Sequence, residues 1–160
     1  METIEKSIEV DAPVTAVYNQ WTQFEEFPQF MTDVNEVRQL DDRHLHWVAS
    51  IGGRTREWDA EIIEQVPDDR IAWRSTSGQP NSGVVHFRPI DRDHTTVVLR
   101  MNYEPQGAME SIGSALGFVS LRVETDLRRF KEFVQNHRSA TGAWRGEIHE
   151  SEIKKRGGRQ

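Results

Sequence analysis

Three tryptophans, Trp47, Trp58 and Trp73, sit on short runs that alternate apolar and polar residues, and a fourth, Trp21, precedes the aromatic cluster FEEFPQF. The stretch REWDAEIIEQVPDDRIAWRS, Arg56 to Ser75, holds two such runs joined by Pro67-Asp68-Asp69. Side chains alternate across a strand, so Trp58, Ala60 and Ile62 fall on one side and Glu57, Asp59 and Glu61 on the other. The second run sets Ile71, Trp73 and Ser75 against Ala72 and Arg74. Inward indoles can be plain core. They can also wall a pocket for a flat or oily molecule, with their N–H groups available to fix it.

The polar candidates are weaker. Glu57, Asp59 and Glu61 share the side opposite the tryptophans, where solvent or arginines such as Arg74 meet them, so they do not form an acid/base pair across a cleft. His44 and His46 share a side and have the spacing of a zinc pair, with His86 or a carboxylate as a third ligand. That side is opposite Leu45, Trp47 and Ala49, hence the solvent side, and neither a metal site nor a cofactor is expected. Gly52-Gly53 reads as a hairpin turn and not a phosphate loop, because no helix and no Lys-Ser/Thr follows. No serine stands on a strand-to-helix elbow. Arg56, on the face of Trp58 near a strand end, suits a pocket mouth, and Tyr103 can donate a phenolic hydrogen bond inward.

These residues need a scaffold to hold them. The 160 residues suit one domain with a substantial core, and the absence of cysteine excludes disulfides, thiolate nucleophiles and cysteine-held zinc. A net charge of -6 argues against a phosphate-backbone binder, so no nucleic-acid partner is expected. No window has the roughly 20 apolar residues of a membrane span, and the charged METIEKSIEV is no secretory signal; a cytoplasmic protein, monomeric or weakly dimeric, is expected. The alternation of Ile4 to Val10 predicts a strand. Asp11 is placed to cap, and Pro13 to begin, a first helix carrying Val14, Val17, Tyr18 and Trp21; Pro28 then separates a second short one. Six strands follow, near 34–40, 44–50, 54–66, 70–77, 83–90 and 94–103, with turn residues between them. From Met109 to Asn136, Ile112, Leu116, Val119, Val123, Leu127, Phe130 and Val134 make one apolar stripe on a long helix. Residues 137–160 are polar with a basic end and are expected to be a disordered tail after a domain spanning 1–136. The fold class is therefore α+β: a seven-stranded curved antiparallel sheet wrapped around a long C-terminal helix, with two short helices after the first strand. A curled sheet gripping one helix leaves an internal cavity, mostly apolar.

The pieces WTQFEEFPQFM, HWVAS, EWDAEIIEQVPDDRIAWRS, NSGVVHF and DLRRFK, in this order from Ser7 to Phe133, resemble the helix-grip (START/Bet v 1-like) superfamily, and within it the bacterial polyketide cyclase/dehydrase type. The resemblance implies the same fold and one of several roles: carrier of a lipid, isoprenoid, quinone or polyketide-like compound, cyclase/dehydrase-type enzyme, or an interaction protein like the ubiquinone-binding chaperone and toxin branch. Aromatase/cyclases of the superfamily place a polar residue and an arginine on the fourth strand; the matching positions here are Ala60 and Ile62, which cannot polarise a ketone. The expectation is thus a hydrophobic small-molecule partner lined by Trp21, Phe24, Phe27, Phe30, Trp47, Trp58, Trp73, Phe87 and Tyr103, with Leu116 and Val119 from the helix and Arg56 at the entrance.

Overall fold

The computed structural model describes residues 2–51, 53–78, 80–103, 113–137, 140–149 and 152–154; the side chains of 2, 51, 103, 113–120 and 152–154 lie outside that description. Strand β1 (Glu2–Val10) leads into helix α1 (Val14–Trp21) and a 3-10 helix (Phe24–Gln29). Strands β2 (Val34–Gln39), β3 (His44–Ile51), β4 (Arg54–Val66), β5 (Arg70–Gly78), β6 (Asn81–Asp91) and β7 (His94–Tyr103) precede helix α2 (Gly113–Asn136). Two short strands, β8 (Glu147–His149) and β9 (Glu152–Lys154), follow it.

The sheet runs β1-β7-β6-β5-β4-β3-β2, with every described pairing antiparallel. Seven strands in a hairpin meander, closed by the return of β1 beside β7, reproduce the expected topology. The helical stripe behaves as its period requires: Val123, Leu127, Phe130 and Val134 are buried against the sheet, whereas Met109 to Ile112 lie outside the described residues and so do the side chains of Leu116 and Val119. Lys6 meets Glu124 at 3.4 Å and the Asp11 N–H donates to Gln135 Oε1, so α2 runs along β1 in the same direction. Its first turns therefore stand at the end where β1 begins, β5 finishes and β6 starts.

Two local expectations need correction. Asp11 does not cap α1: Pro13 is the N-cap residue, without a side-chain cap bond, because the Asp11 backbone is drawn toward α2. The second short helix is a 3-10 turn, since Pro28 lacks the N–H that would extend it as an α-helix.

The polar segment beyond α2 is a larger correction, because residues 140–149 are laid against the domain. The Thr141 N–H donates to Gln20 Oε1 while Gln20 Nε2 donates to Thr141 Oγ1, each at 3.0 Å. Arg145 bonds Asn19 Oδ1, pairs with Asp68 at 2.7 Å and lies over the Tyr18 ring. Then β8 pairs with Glu64 and Gln65 of β4, on the length of β4 that extends past the end of β3, and Ile148 is 0% exposed. A bare strand edge is thereby covered. Periodicity could not reveal this, since two isolated apolar anchors, Trp144 and Ile148, carry it.

Candidate functional site

Alternation along β3, β4 and β5 puts Trp47, Trp58 and Trp73 on the concave face, as expected. They do not form one row. Trp47 stands directly opposite Trp58, and the two indoles stack with centroids 5.7 Å apart and planes 7° from parallel. Trp73 faces Ile62 instead, because the turn that pairs Val66 with Arg70 carries Trp58 on to Gly78, and the irregularity between Ile62 and Glu64 shifts Trp73 by one residue more. Its ring lies over Gly83, where a Cβ would stand 2.6 Å from the indole, and its Nε1 donates to Asn81 Oδ1 at 2.9 Å.

The remaining aromatic candidates divide sharply from these. Trp21, Phe24, Phe27, Phe30 and Phe87 are all buried and packed edge-on or tilted on one another at the closed end of the sheet. Phe130 of α2 completes the cluster, 4.9 Å from Trp21 and 5.2 Å from Phe30. From Phe27 the rings continue to Trp47 at 5.7 Å and then to Trp58. One continuous aromatic column thus begins as solid core and ends in a half-buried indole pair. Arg56 flanks that end, opposite Ala49. The side chain of Tyr103 lies outside the described residues, though its backbone pairs with Asn81 and Glu2.

The outer face is a charge lattice. Glu61 takes Arg43 at 2.7 Å and Arg74 at 3.2 Å, and His46 is held between Asp59 and Glu57. Hydrogen bonds that His46 donates to Asp59 first, then to Glu57, raise its pKa. No carboxylate of the three turns toward the tryptophans, so the expected separation of faces stands. Of the hollows among the described residues, a groove of about 380 Å³ lies between Phe30 and Arg129 and one of about 170 Å³ between Pro13 and His137. Both flank the C-terminal half of α2, and neither is walled by Trp47, Trp58 or Trp73.

Residues 10–132 match the family described as polyketide cyclase/dehydrase and lipid transport. The chain belongs to that family. A Streptomyces lincolnensis member, an uncharacterized 17.2 kDa protein, is 48% identical over 92% of this chain and 99% of its own. Among solved structures, a Deinococcus radiodurans protein is 31% identical with a TM-score of 0.64, covering 82% of this chain and 95% of that one. The Zhui aromatase/cyclase of a Streptomyces species superposes with a TM-score of 0.75 over 89% of this chain and 98% of its own, at 15% identity. A Mycobacterium smegmatis START superfamily protein gives 0.70 over 84% and 97%, also at 15%. At that identity the last two show the fold, which is the helix-grip architecture.

In this member of the cyclase/dehydrase and lipid transport family, Ala60 and Ile62 are buried aliphatic wall. Three features of the site escaped the sequence analysis. Asn81 holds Trp73, and its signal was legible: it continues the alternation of Gly83, Val85 and Phe87. Lys6 shares the inward row of Ile4 and Val10 and is met by Glu124. Asp33, at the entry to β2, faces Arg122 at 2.7 Å beside Asp126 of α2, a contact across 89 residues that no local pattern announces.

Asp126 yields a pH prediction. Burial pushes its carboxyl up to about 7, with the Asp33 charge adding to the rise; Arg122, the Thr32 N–H and Arg129 oppose it. The folded chain therefore holds a proton that the unfolded chain releases near the usual carboxylate value of 3.8. Stability falls as pH rises between those limits, and the deficit is complete above the folded value. Asp126→Asn is expected to be more stable than the natural protein at pH 8 by about 1–2 kcal/mol, allowing for partial solvent exposure, and nearly equal to it at acid pH. Urea unfolding at both ends of the range checks this; an Asn variant less stable at pH 8 would show the ionised carboxylate is favoured by Arg122.

Proposed function

We propose that the chain binds one hydrophobic small molecule, a lipid, isoprenoid, quinone or polyketide-like compound, at the open end of the concave sheet beneath the first turns of α2. One observation carries this reading: the aromatic column, buried through Trp21, Phe24, Phe27 and Phe30, ends toward the first turns of α2 in the stacked Trp47–Trp58 pair with its rings half-buried. An oily or flat ligand completes the stack and removes apolar surface from water, which supplies most of its affinity. Arg56 stands at the rim for a polar end of the ligand, and Trp73 and Asn81 hold the adjoining wall. Membership of a family that includes lipid transport supports the same class of ligand.

The cyclase/dehydrase activity in the family description is the second reading, and it has less behind it. Ring closure of a reactive chain needs donors or cations where an oxyanion develops. At Ala60 and Ile62 the wall is aliphatic, so catalysis would rest on shape and water exclusion alone. As a carrier, the protein acts without a cofactor.

Native mass spectrometry of protein purified from its own host, followed by extraction of what co-purifies, tests the proposal. A bound lipid, quinone or aromatic compound is expected, and delipidated protein should take it up again with a change in tryptophan fluorescence. Protein that emerges empty and binds none of a panel of fatty acids, quinones and aromatic polyketides would overturn it.

A further inference from the structure

We propose that Glu9, Asp11 and His94 form a site for a first-row divalent transition cation such as Zn²⁺, on the outer side of the β1–β7 seam. The register builds it. Val10 pairs with Thr95 and Glu9 with Thr96, so Asp11 and His94 are the next facing pair, and alternation puts Glu9 on their side. The three donors, one imidazole and two carboxylates, lie within 4.8 Å of one another, the only such group of three among the described residues.

Their chemistry suits the cation. Nitrogen and oxygen donors hold zinc at about 2.0–2.2 Å, so two ligands of one tetrahedral ion stand about 3.4 Å apart. His94 Nε2 and Asp11 Oδ1 are 3.9 Å apart, too far for a hydrogen bond and close enough to fold onto a shared ion by side-chain rotation. The other ring nitrogen, Nδ1, is bonded to Asp91 Oδ1 at 2.7 Å, an outer carboxylate that fixes the tautomer and turns Nε2 outward as a ligand. The two ligating carboxylates balance a divalent charge, and the fourth position opens to water or a small anion.

The backbone around the trio is already tied down. Asp11 N–H is bonded to Gln135, Ala12 N–H to the Val10 carbonyl at 2.9 Å, and Thr95 Oγ1 donates to the Ala12 carbonyl at 2.8 Å. The histidines that the sequence analysis weighed offer less. In His46 both nitrogens are engaged by carboxylates, and the carboxylate that faces His44 Nε2, Glu61, is already held by Arg43 and Arg74. A metal at the seam would pin the exposed edge strand β1 to β7.

The test is titration of chelator-treated full-length protein with Zn²⁺ by calorimetry and with Co²⁺ by visible absorption. One ion per chain is expected, with a roughly micromolar Kd. His94→Ala and Asp11→Asn should each weaken binding at least about 10-fold, Asp91→Asn by about 10-fold, and His46→Ala not at all. These residues are on the surface, so the variants fold. No uptake at about 1 mM metal, or uptake that His94→Ala leaves unchanged, would overturn the proposal.

Discussion

Ending the chain after His137 is expected to cost about 4 kcal/mol or more of stability and to lower Tm by about 10 °C. The physical basis is the segment 140–149. Removing it uncovers the seat of Ile148, whose loss alone, as Ile148→Ala, should cost about 2–4 kcal/mol. It also strips the edge of β4 at Glu64 and Gln65 and leaves the buried Gln20 without both bonds it shares with Thr141. Asp68, which turns the β4–β5 hairpin at φ 63, loses its ion pair with Arg145. A chain ending after Lys154 is the control and should melt with the natural protein. Equal melting of the two truncations would mean that 140–149 rests on the surface without stabilising it. Differential scanning calorimetry distinguishes the outcomes.

How much of this was legible in the sequence depends on how local each signal is. The alternation of Trp58, Ala60, Ile62 against Glu57, Asp59, Glu61 placed both faces of β4 without error, because strand alternation is set by each residue's own backbone. The α2 stripe from Val123 to Val134 was equally plain. What failed was register. The Pro67-Asp68-Asp69 turn already carries Trp58 past Trp73 to Gly78, and nothing in the sequence marks the irregularity that then sets Trp73 opposite Ile62. Segment 140–149 was hidden for a related reason: its anchors, Trp144 and Ile148, have no periodic company, and their partners on α1 and β4 are distant in sequence. Among the described side chains, the aromatic candidates lie buried or half-buried on the inside. Sequence alone could not divide the packed rings of Trp21 and Phe27 from the half-buried pair of Trp47 and Trp58, since burial belongs to the assembled fold.

That division sets the last prediction. Trp21→Ala should cost about 3–5 kcal/mol of stability, because the indole is buried among Phe27, Phe87 and Phe130, with centroids 5.5, 6.0 and 4.9 Å away, and no neighbour can collapse into the space. Trp58→Ala removes a ring of the same size from a place where one face meets Trp47 and the indole keeps solvent contact. Its cost should be smaller, about 2–3 kcal/mol, the worth of one stacked pair plus partial burial. Ligand affinity should order the two variants the other way. Trp58→Ala is expected to weaken binding by at least about 10-fold while the fold survives, since a lost stacking partner of about 1.4 kcal/mol or more is felt in full by the complex. Trp21→Ala, assayed where it remains folded, should bind within a few-fold of the natural protein. Urea denaturation and ligand titration on the same two variants decide the matter. If both lose stability alike and neither loses affinity selectively, Trp58 is core, and the aromatic column is packing from end to end.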